Sequence, residues 1–314
     1  MTAYSYTIEA VQILLLLFAA PAFAGWVRTV KCRMQGRTYA GIFQPYRDLA
    51  KLFSKDVILA ENASWIFRVT PYIVFGVTVM IGGIIPLISI DLPFAATADV
   101  IALVMLFAII RFFTALAGMD IGTAFGGMGS SREMTISSLA EPAMLMAVFT
   151  ASLAANSTSL TQMVHVMAHG EFTLRPSLAF ALLAFIMVHL TETGRVPVDN
   201  PSTHLELTMI HEAMILEYSG RHLALIEWAS MMKLFIFSSL GIAVFCPWGI
   251  AASGDLVGML IGAGVLAAKL AVLGIILVLI ETGLAKMRLF RLTEFLGSAF
   301  LLATLGMLSF FILE

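Results

Sequence analysis

The chain has 314 residues, of which 60% are hydrophobic and only 12% are charged, with a formal net charge of −2 and a mean hydropathy of +0.96. So few polar residues cannot cover a water-facing surface, which excludes a soluble globular protein. No block of basic residues interleaved with aromatic ones is present, so a nucleic-acid-binding protein is excluded as well. The composition predicts an integral membrane protein of the all-α class.

Eight windows of the sequence have the length of a membrane-spanning helix, which needs roughly 20 predominantly apolar residues. They are residues 8–27, 70–90, 99–118, 135–156, 178–194, 227–250, 256–283 and 292–312. His189 and Glu192 interrupt the fifth window, so its inner boundary is the least defined. We predict a polytopic protein of about eight spans that forms a single integral membrane domain over residues 1–314.

The first window looks at first like a secretory signal, because residues 22–24 form a small-residue cleavage pattern. However, the basic residues follow this window, from Arg28 to Arg37, and none precedes it. The positive-inside rule then places the start of the chain outside and the next loop in the cytoplasm. With eight spans, we expect a multi-pass protein of a bacterial or archaeal cytoplasmic (inner) membrane, with both termini outside.

The first inner loop carries two stripes at helical spacing. The apolar stripe is Ile42, Tyr46, Leu49 and Phe53, and the basic stripe is Arg47, Lys51 and Lys55. This pattern predicts an inner-side interfacial amphipathic helix that lies on the inner leaflet or bridges neighbouring spans. A solvated charged connection is the alternative.

The second inner loop, residues 118–133, contains five glycines. Ser130 and Glu133 have the spacing of a capping box, which predicts that the fourth span starts there. Glycines let one backbone approach another backbone or a partner surface closely. Tight internal packing and the docking of a partner subunit are both open interpretations.

Glu141 lies within the fourth predicted span, directly before Pro142. A proline inside a helix frees a carbonyl group and admits water or a polar side chain. Acidic residues at such depth are associated with ion or proton paths, so we interpret Glu141 as a proton relay. A hydrogen-bonded structural glutamic acid is the alternative.

The densest polar stretch runs from Glu192 to Arg221. Its candidate proton-path residues are Glu192, Asp199, His204, Glu206, Glu212 and Glu217. If the part after Pro201 is helical, Glu206 and Glu217 lie on nearly the same face, because eleven residues make about three turns. No HExxH pair accompanies the histidines, so we expect no metal site. A solvated inner loop is the alternative, although apolar residues are interleaved with the acids.

Lys269 lies near the middle of the seventh window, and Glu281 ends that apolar run. A charge deep in a bilayer is costly unless it is paired or hydrated, which makes Lys269 a functional candidate. We expect its partner to be a carboxylate on a neighbouring span or subunit. As part of a hydrated relay, its ammonium would alternate between charged and neutral forms.

Several blocks of residues, in order along the chain, carry a family resemblance. They are Gln44-x-Tyr46-Arg47-Asp48-x-x-Lys51-Leu52, Gly118-Met119-Asp120-x-Gly122, Gly129-x-Ser131-Arg132-Glu133, Glu192-x-Gly194-x-Val196-Pro197-x-Asp199, Glu206-Leu207, Glu217-Tyr218-Ser219-Gly220 and Glu281-x-x-x-Ala285-Lys286-x-Arg288. The chain resembles the complex I subunit 1 family. More narrowly, it is similar to the formate hydrogenlyase and energy-converting nickel–iron hydrogenase (hydrogenase-4 type) branch.

The resemblance implies a non-catalytic membrane subunit that anchors a soluble redox arm and couples it to proton or sodium translocation by antiporter-like subunits. It implies hydrogenase-like large and small subunits and iron–sulfur subunits as partners. Those partners would hold the iron–sulfur clusters and the nickel–iron centre, and this chain would hold no cofactor. The implied docking residues are Arg47, Asp48, Lys51, Asp120, Arg132, Glu133 and Arg288.

Two departures from the family pattern bear on the site. The proline of the family's first-loop signature is absent from Gly36-Arg37-Thr38-Tyr39-Ala40-Gly41. After Asp199, the usual acid-rich run is replaced by Asn200-Pro201-Ser202-Thr203-His204, where His204 would serve as a relay because its pKa lies near neutrality.

Two alternative functions are the quinone-site subunit of a respiratory NADH dehydrogenase-like complex and a stand-alone ion transporter.

Overall fold

The computed structural model describes residues 3–38, 41–87, 99–169, 175–199, 209–249, 256–285, 287 and 289–313. Apart from one isolated bridge between Asp99 and Ser159, the regular structure of these residues is helical. The helices are α1 (Ala3–Met34), α2 (Gln44–Phe53), α3 (Trp65–Ile84), α4 (Val100–Asp120), α5 (Ala124–Ala155), α6 (Leu160–His169), α7 (Pro176–Glu192), α8 (His211–Ile215), α9 (Gly220–Phe245), α10 (Leu256–Gly283) and α11 (Leu289–Leu313). The predicted all-α class is confirmed.

Each of the eight predicted windows corresponds to a helix. Among the described residues, seven helices (α1, α3, α4, α5, α9, α10 and α11) are long and apolar enough to cross a membrane. The fifth window corresponds to α7, an apolar helix of 17 residues, at the lower end of the spanning range of about 17–25 residues. The chain is a multi-pass membrane protein.

The long helices alternate in direction through the bundle. At one end, Lys31 of α1 and Arg195, which follows α7, both contact Glu281 near the end of α10. We call this the basic end, because it carries Arg28, Lys31, Arg37 and Arg195. At the opposite end, the Gln12 side-chain amide of α1 donates to the Ile85 carbonyl, which follows α3, over 2.8 Å. The end of α7 therefore lies at the basic end, beside the ends of α1 and α10.

The predicted amphipathic helix is confirmed as α2. Its buried residues are Pro45 and Leu49, whereas the basic side chains of Arg47 and Lys51 are exposed. The helix packs against α1 and α9, and the rings of Phe53 and Trp228 lie 6.1 Å apart. A merely solvated connection would have no such buried face, so that alternative is wrong.

Two prolines explain specific contacts between helices. Pro21 in α1 has no N–H, which leaves the Leu17 carbonyl without its helical partner, and the Trp228 indole donates to that carbonyl over 3.0 Å. Pro71 in α3 frees the Phe67 carbonyl in the same way, and the Tyr218 hydroxyl donates to it over 3.0 Å. Trp228 thereby joins α9 to α1, and Tyr218, just before α9, joins that segment to α3.

Helix α5 begins at Ala124, eleven residues before the predicted span, and the predicted capping box is wrong. The N-cap is Thr123, whose side-chain oxygen accepts a hydrogen bond from the Gly126 N–H over 3.3 Å. Ser130 is instead buried inside the helix, with its hydroxyl 2.8 Å from the carbonyl oxygens of Ala115 and Gly126. Packing of this segment on α4 offsets the low helix propensity of its glycines.

The glycines of the second inner loop permit close internal packing. A Cβ on Gly126 would lie 2.1 Å from the Gly118 carbonyl oxygen, and one on Gly129 would lie 2.9 Å from the Ala213 Cβ. Helices α4, α5 and α8 therefore meet through backbone surfaces at this point. A Cβ on Gly127, by contrast, would meet no described atom within 4 Å, so that face of α5 is open.

We expect Gly126→Ala to prevent normal packing of α4 on α5, because the added methyl group would overlap a backbone carbonyl that cannot rotate away. The yield and melting temperature of the detergent-purified protein should fall. Gly127→Ala is the matched control, since its methyl group enters open space and alanine favours a helix by up to about 1 kcal/mol. Equal melting temperatures for the two variants would contradict the packing seen here.

Two short helices lie outside the predicted elements. In α6, the buried Leu160, Met163 and Val164 recur at helical spacing within the segment between the fourth and fifth predicted windows. In α8, the residues Ala213–Ile215 are buried within a segment dense in acids. Both helices are too short to give a clear periodic signal in the sequence.

Candidate functional site at the basic end

A cavity of about 450 Å³ opens between α1, α9 and the segment that follows α7. We call it the basic-end cavity. Eight of its 21 lining residues are charged, namely Arg28, Lys31, Arg37, Arg195, Asp199, Glu212, Glu227 and Glu281. Cations and carboxylates are equal in number, so the cavity carries little net charge, and apolar side chains such as Val27 and Leu234 line other parts of its wall.

Glu281 holds three elements together at the wall of this cavity. Its carboxylate is almost completely buried and lies 2.7 Å from the Lys31 ammonium. Its other oxygen accepts a hydrogen bond from the Arg195 guanidinium. A buried carboxylate requires such partners, so the predicted proton-path residue Glu281 also joins α1, α10 and the segment after α7.

A second group of charges lies deeper in the bundle. Arg111 of α4 contacts the carboxylates of both Glu141 on α5, at 3.1 Å, and Glu192 at the end of α7. The Lys233 ammonium of α9 lies 3.0 Å from the other oxygen of Glu192. We call Arg111, Glu141, Glu192 and Lys233 the buried cluster. Two cations and two carboxylates balance one another there, which reduces the cost of removing them from water.

The two predicted carboxylates of the buried cluster differ in exposure. The Glu192 side chain is 2% exposed and touches both cations, whereas the Glu141 side chain is 35% exposed. Glu141 therefore joins the interior of the bundle to the surface of α5. Glu141 shares the Arg111 cation with Glu192, an arrangement compatible with both the predicted proton relay and a hydrogen-bonded structural glutamic acid.

Two small cavities lie beside the buried cluster. One, of about 40 Å³, is lined by Arg111, Glu192 and Lys233 among others, and the second, of about 20 Å³, is lined by Glu192 and Asp199 among others. Glu133 lines both of them. The structure thus places Glu133, predicted as a docking residue, in the wall of internal cavities near the buried cluster.

Asp199 is buried and shapes the start of α8. Its carboxylate accepts hydrogen bonds from the N–H groups of Ile210 and His211, each over 3.2 Å. A carboxylate at a helix start satisfies N–H groups that have no partner within the helix. Asp199 therefore fixes the position of His211, which sequence analysis did not select.

The ionisation of the α8 side chains is shifted in opposite directions. Burial and then the nearby Lys233 ammonium lower the pKa of His211, so its imidazole is neutral at neutral pH. Burial and then the Glu227 carboxylate raise the pKa of Glu212. Both side chains line the basic-end cavity and favour their uncharged forms more than they would in water.

Lys269 does not have the predicted carboxylate partner among the described residues of this chain. Its ammonium donates to the Cys246 carbonyl over 2.6 Å and to the Trp248 carbonyl, and it lies 5.9 Å from the centre of the Trp248 ring. These carbonyls follow the C-terminal end of α9, where helix carbonyls have no internal partners and attract cations. Lys269 thus joins α10 to the end of α9, far from the basic end.

The remaining predicted docking residues make several internal contacts. The Asp120 carboxylate accepts from the Ser64 N–H over 2.8 Å, and Arg132 donates to the Met209 carbonyl over 2.8 Å. Asp48 accepts from the Gln44 side chain over 2.8 Å, whereas Arg47 and Lys51 are exposed. Their docking role stays a prediction.

Three predicted residues, His204, Glu206 and Arg288, lie outside the described residues. Glu217 is exposed in a turn between α8 and α9, so Glu217 does not continue α8. Groups of three or more potential metal ligands do not occur among the described residues.

Arg111 is the most important residue that sequence analysis missed. It is the only charged residue within the third window, residues 99–118, apart from Asp99 at its start. A single cation in an apolar span requires buried partners, by the same argument that selected Lys269. That signal predicts a partner but not its identity, because the partners Glu141 and Glu192 come from two other helices.

Comparison with known proteins identifies the family to which this site belongs. A family model described as NADH dehydrogenase matches residues 8–312. The chain belongs to this NADH dehydrogenase family. The predicted resemblance to complex I subunit 1 is thereby confirmed.

Individual relatives of this chain belong to the hydrogenase branch of the family. Formate hydrogenlyase subunit 4 of Escherichia coli (strain K12) is 31% identical over 279 residues, which cover 89% of this chain and 90% of the relative. Hydrogenase-4 component C of the same organism is 32% identical over 295 residues, covering 94% and 92%. The predicted branch is confirmed.

A solved structure shares the fold. A chain in the structure of the membrane-bound sulfane sulfur reductase, an archaeal respiratory membrane complex, matches with a TM-score of 0.83. The match covers 97% of this chain and 98% of the other, at 19% sequence identity. The helical arrangement described above is therefore that of a known membrane-complex subunit.

Proposed function

We propose that this chain is the membrane anchor and coupling subunit of a complex I-like complex of the nickel–iron hydrogenase or formate hydrogenlyase type. It links a soluble redox arm to proton or sodium translocation by antiporter-like subunits. The similarity to formate hydrogenlyase subunit 4 and hydrogenase-4 component C supports the type of complex. The chain supplies charge coupling and does not catalyse the redox reaction.

The observation that carries the proposal is a polar route through an apolar bundle. The route begins at the basic-end cavity, passes the small cavities beside Glu133, and reaches Glu192 in the buried cluster. Arg111 then joins Glu192 to the partly exposed Glu141. Ionisable groups at such depth are costly, so their retention supports a role in moving charge.

The implied partners follow from the same proposal. Hydrogenase-like large and small subunits and iron–sulfur subunits would dock at the basic end and hold the iron–sulfur clusters and the nickel–iron centre. Antiporter-like membrane subunits would contact the bundle within the lipid bilayer. The exposed basic side chains of Arg47 and Lys51 on α2 are suited to docking of an acidic surface.

The copurifying subunits test this proposal. Mass spectrometry of the gently solubilised complex should find the chain together with a nickel–iron hydrogenase-like large subunit, iron–sulfur subunits and antiporter-like subunits. An active chain recovered without any redox partner would contradict the proposal and support a stand-alone ion transporter.

The alternative of a quinone-site subunit rests on the family match and on the size of the basic-end cavity. Small-molecule sites usually occupy about 300–1,000 Å³ and are mostly apolar. This cavity has the volume and apolar residues such as Val27 and Leu234 in its wall, whereas its eight charged lining residues favour water and ions over a quinone ring. Inhibition of redox turnover by a quinone analogue, relieved by added quinone, would favour the alternative.

We further propose that the basic end faces the cytoplasm in a bacterial or archaeal inner membrane and that both termini lie outside. The cations of the basic end support this orientation through the positive-inside rule. The two cysteines are natural reporters, because Cys32 lines the basic-end cavity and the exposed Cys246 follows α9 at the opposite end.

Labelling with a membrane-impermeant maleimide should therefore depend on vesicle orientation. In membranes stripped of peripheral proteins, we expect Cys246 to react in right-side-out vesicles and Cys32 to react only in inverted vesicles. The single-cysteine variants Cys32→Ser and Cys246→Ser assign each signal. The reverse pattern, or labelling of both cysteines from one side, would contradict the orientation.

A further inference from the structure

His211 occupies a shared position among the cavities of the basic end. It lines the basic-end cavity and both small cavities, and no other described residue lines all three. The large cavity is open to solvent at the basic end, whereas the small ones border Glu192. The imidazole therefore stands between the open cavity and the buried cluster.

Hydrogen bonds fix the backbone at residue 211. Asp199 accepts hydrogen bonds from the N–H groups of Ile210 and His211, which fixes the first turn of α8. The following residues, Ala213–Ile215, are buried against neighbouring helices. These contacts fix the backbone position from which the His211 imidazole extends.

Charged groups from several elements surround the ring. Lys233 and Glu227 of α9, together with Glu192 of α7 and Asp199, interact with it electrostatically. Glu133 of α5 lines both small cavities with it, and Arg195 and Glu212 line the large cavity with it. The Lys233 ammonium favours the neutral imidazole, and the carboxylates favour its transient protonation.

We propose that His211 is the proton relay between water in the basic-end cavity and the buried cluster. This inference rests on the proposed coupling function and names the residue that connects its two parts. Neutral imidazole has one nitrogen that accepts a proton and one that donates a proton. Serine or threonine hydroxyls in the cavity walls cannot hold an extra proton near neutral pH, whereas an imidazole can take up a proton and release it again.

The transfer is balanced in protons and charge. The unprotonated ring nitrogen takes one proton from a hydronium ion in the cavity, which gives an imidazolium ion and water. The other nitrogen then releases its proton toward the carboxylates of Glu192 or Glu133, and the ring is neutral again. Rotation of the ring restores the starting tautomer. One proton has moved inward, and no bond other than N–H and O–H bonds has changed.

The test uses the intact complex in sealed vesicles, with ion translocation and redox turnover measured on the same samples. We expect His211→Ala to lower the number of ions moved per electron by at least about ten-fold, a lower limit set below the roughly 10²–10⁴-fold that a positioned acid–base group typically contributes. The variant His211→Gln should behave alike, since the amide keeps hydrogen bonding but cannot carry the extra proton. His165→Ala, which changes a histidine on α6, is the matched control.

Added imidazole distinguishes a relay from a structural role. The basic-end cavity is large enough to admit free imidazole, so millimolar imidazole should restore translocation in His211→Ala but not in His211→Gln, where the site is filled. Unchanged translocation in both variants, or loss that imidazole does not reverse in His211→Ala, would overturn the relay.

Glu192→Gln, measured in parallel, distinguishes failure of the His211 relay from failure of the proposed coupling function. If it uncouples translocation while the His211 variants do not, the relay is wrong and the proposed coupling function stands. If neither residue affects translocation, the polar route through His211 and Glu192 is wrong, and the coupling function itself is decided by whether the wild-type complex forms an ion gradient.

Discussion

Arg111→Met is expected to be the most destabilising single substitution in the buried cluster. Arg111 contacts the carboxylates of Glu141 and Glu192, so its removal leaves two acids with only the Lys233 ammonium. Removing one partner of a buried ion pair costs about 3–5 kcal/mol, because the remaining charge is uncompensated. The melting temperature of the detergent-purified protein and the yield of assembled complex should both fall.

Two further variants show whether the loss is due to charge balance. Arg111→Met combined with Glu192→Gln restores one cation and one carboxylate, so it should be more stable than Arg111→Met alone. Arg68→Met removes an exposed arginine of α3 and serves as the control. A double variant no more stable than the single one would assign the effect to lost packing of the arginine side chain.

Glu192→Gln is expected to have the largest effect on coupling. The amide keeps the shape of the side chain and an oxygen for Arg111, but it cannot exchange a proton. Ion translocation should therefore fall by at least about ten-fold more than redox turnover measured with an artificial donor or acceptor. Assembly should be largely retained, because Arg111 keeps its contact with the Glu141 carboxylate.

Glu141→Gln should uncouple in the same direction, since Glu141 joins the cluster to the surface of α5. Glu294→Gln, on α11, changes a carboxylate outside the route and is the control. If Glu192→Gln and Glu141→Gln both translocate ions at the wild-type ratio, these two residues are structural and the route has another course.

Much of the fold follows from local sequence pattern. Apolar windows set the long helices, and two stripes of residues set α2, because burial against lipid or protein acts on each segment separately. The sequence pattern places the start of α5 eleven residues too late. A capping box is a local preference, and packing of glycine backbones on α4 outweighs it.

The site is less predictable, because its residues meet only in three dimensions. Glu141, Glu192 and Glu281 stand out as acids in apolar surroundings, and the structure places each of them in an ion pair. Their partners Arg111, Lys31 and Arg195 come from distant elements. The carbonyl partners of Lys269 depend on where α9 ends, and the position of His211 depends on how three cavities meet.

Prolines inside helices are a sequence signal for contacts between helices, because each one leaves a carbonyl that needs another donor. Pro21 and Pro71 each leave one carbonyl unpaired four residues earlier, and an aromatic donor takes each of them. The prolines are visible in the sequence and predict that a donor is needed. The prolines do not identify the donors, which are Trp228 and Tyr218 in the structure.

The most direct test of the coupling account is the ion gradient formed by the wild-type complex in sealed vesicles. Hydrogenase-type turnover should generate a transmembrane proton or sodium gradient, and an ionophore that collapses this gradient should increase the rate of turnover. Turnover without any gradient and without stimulation by ionophores would contradict the coupling role of this chain.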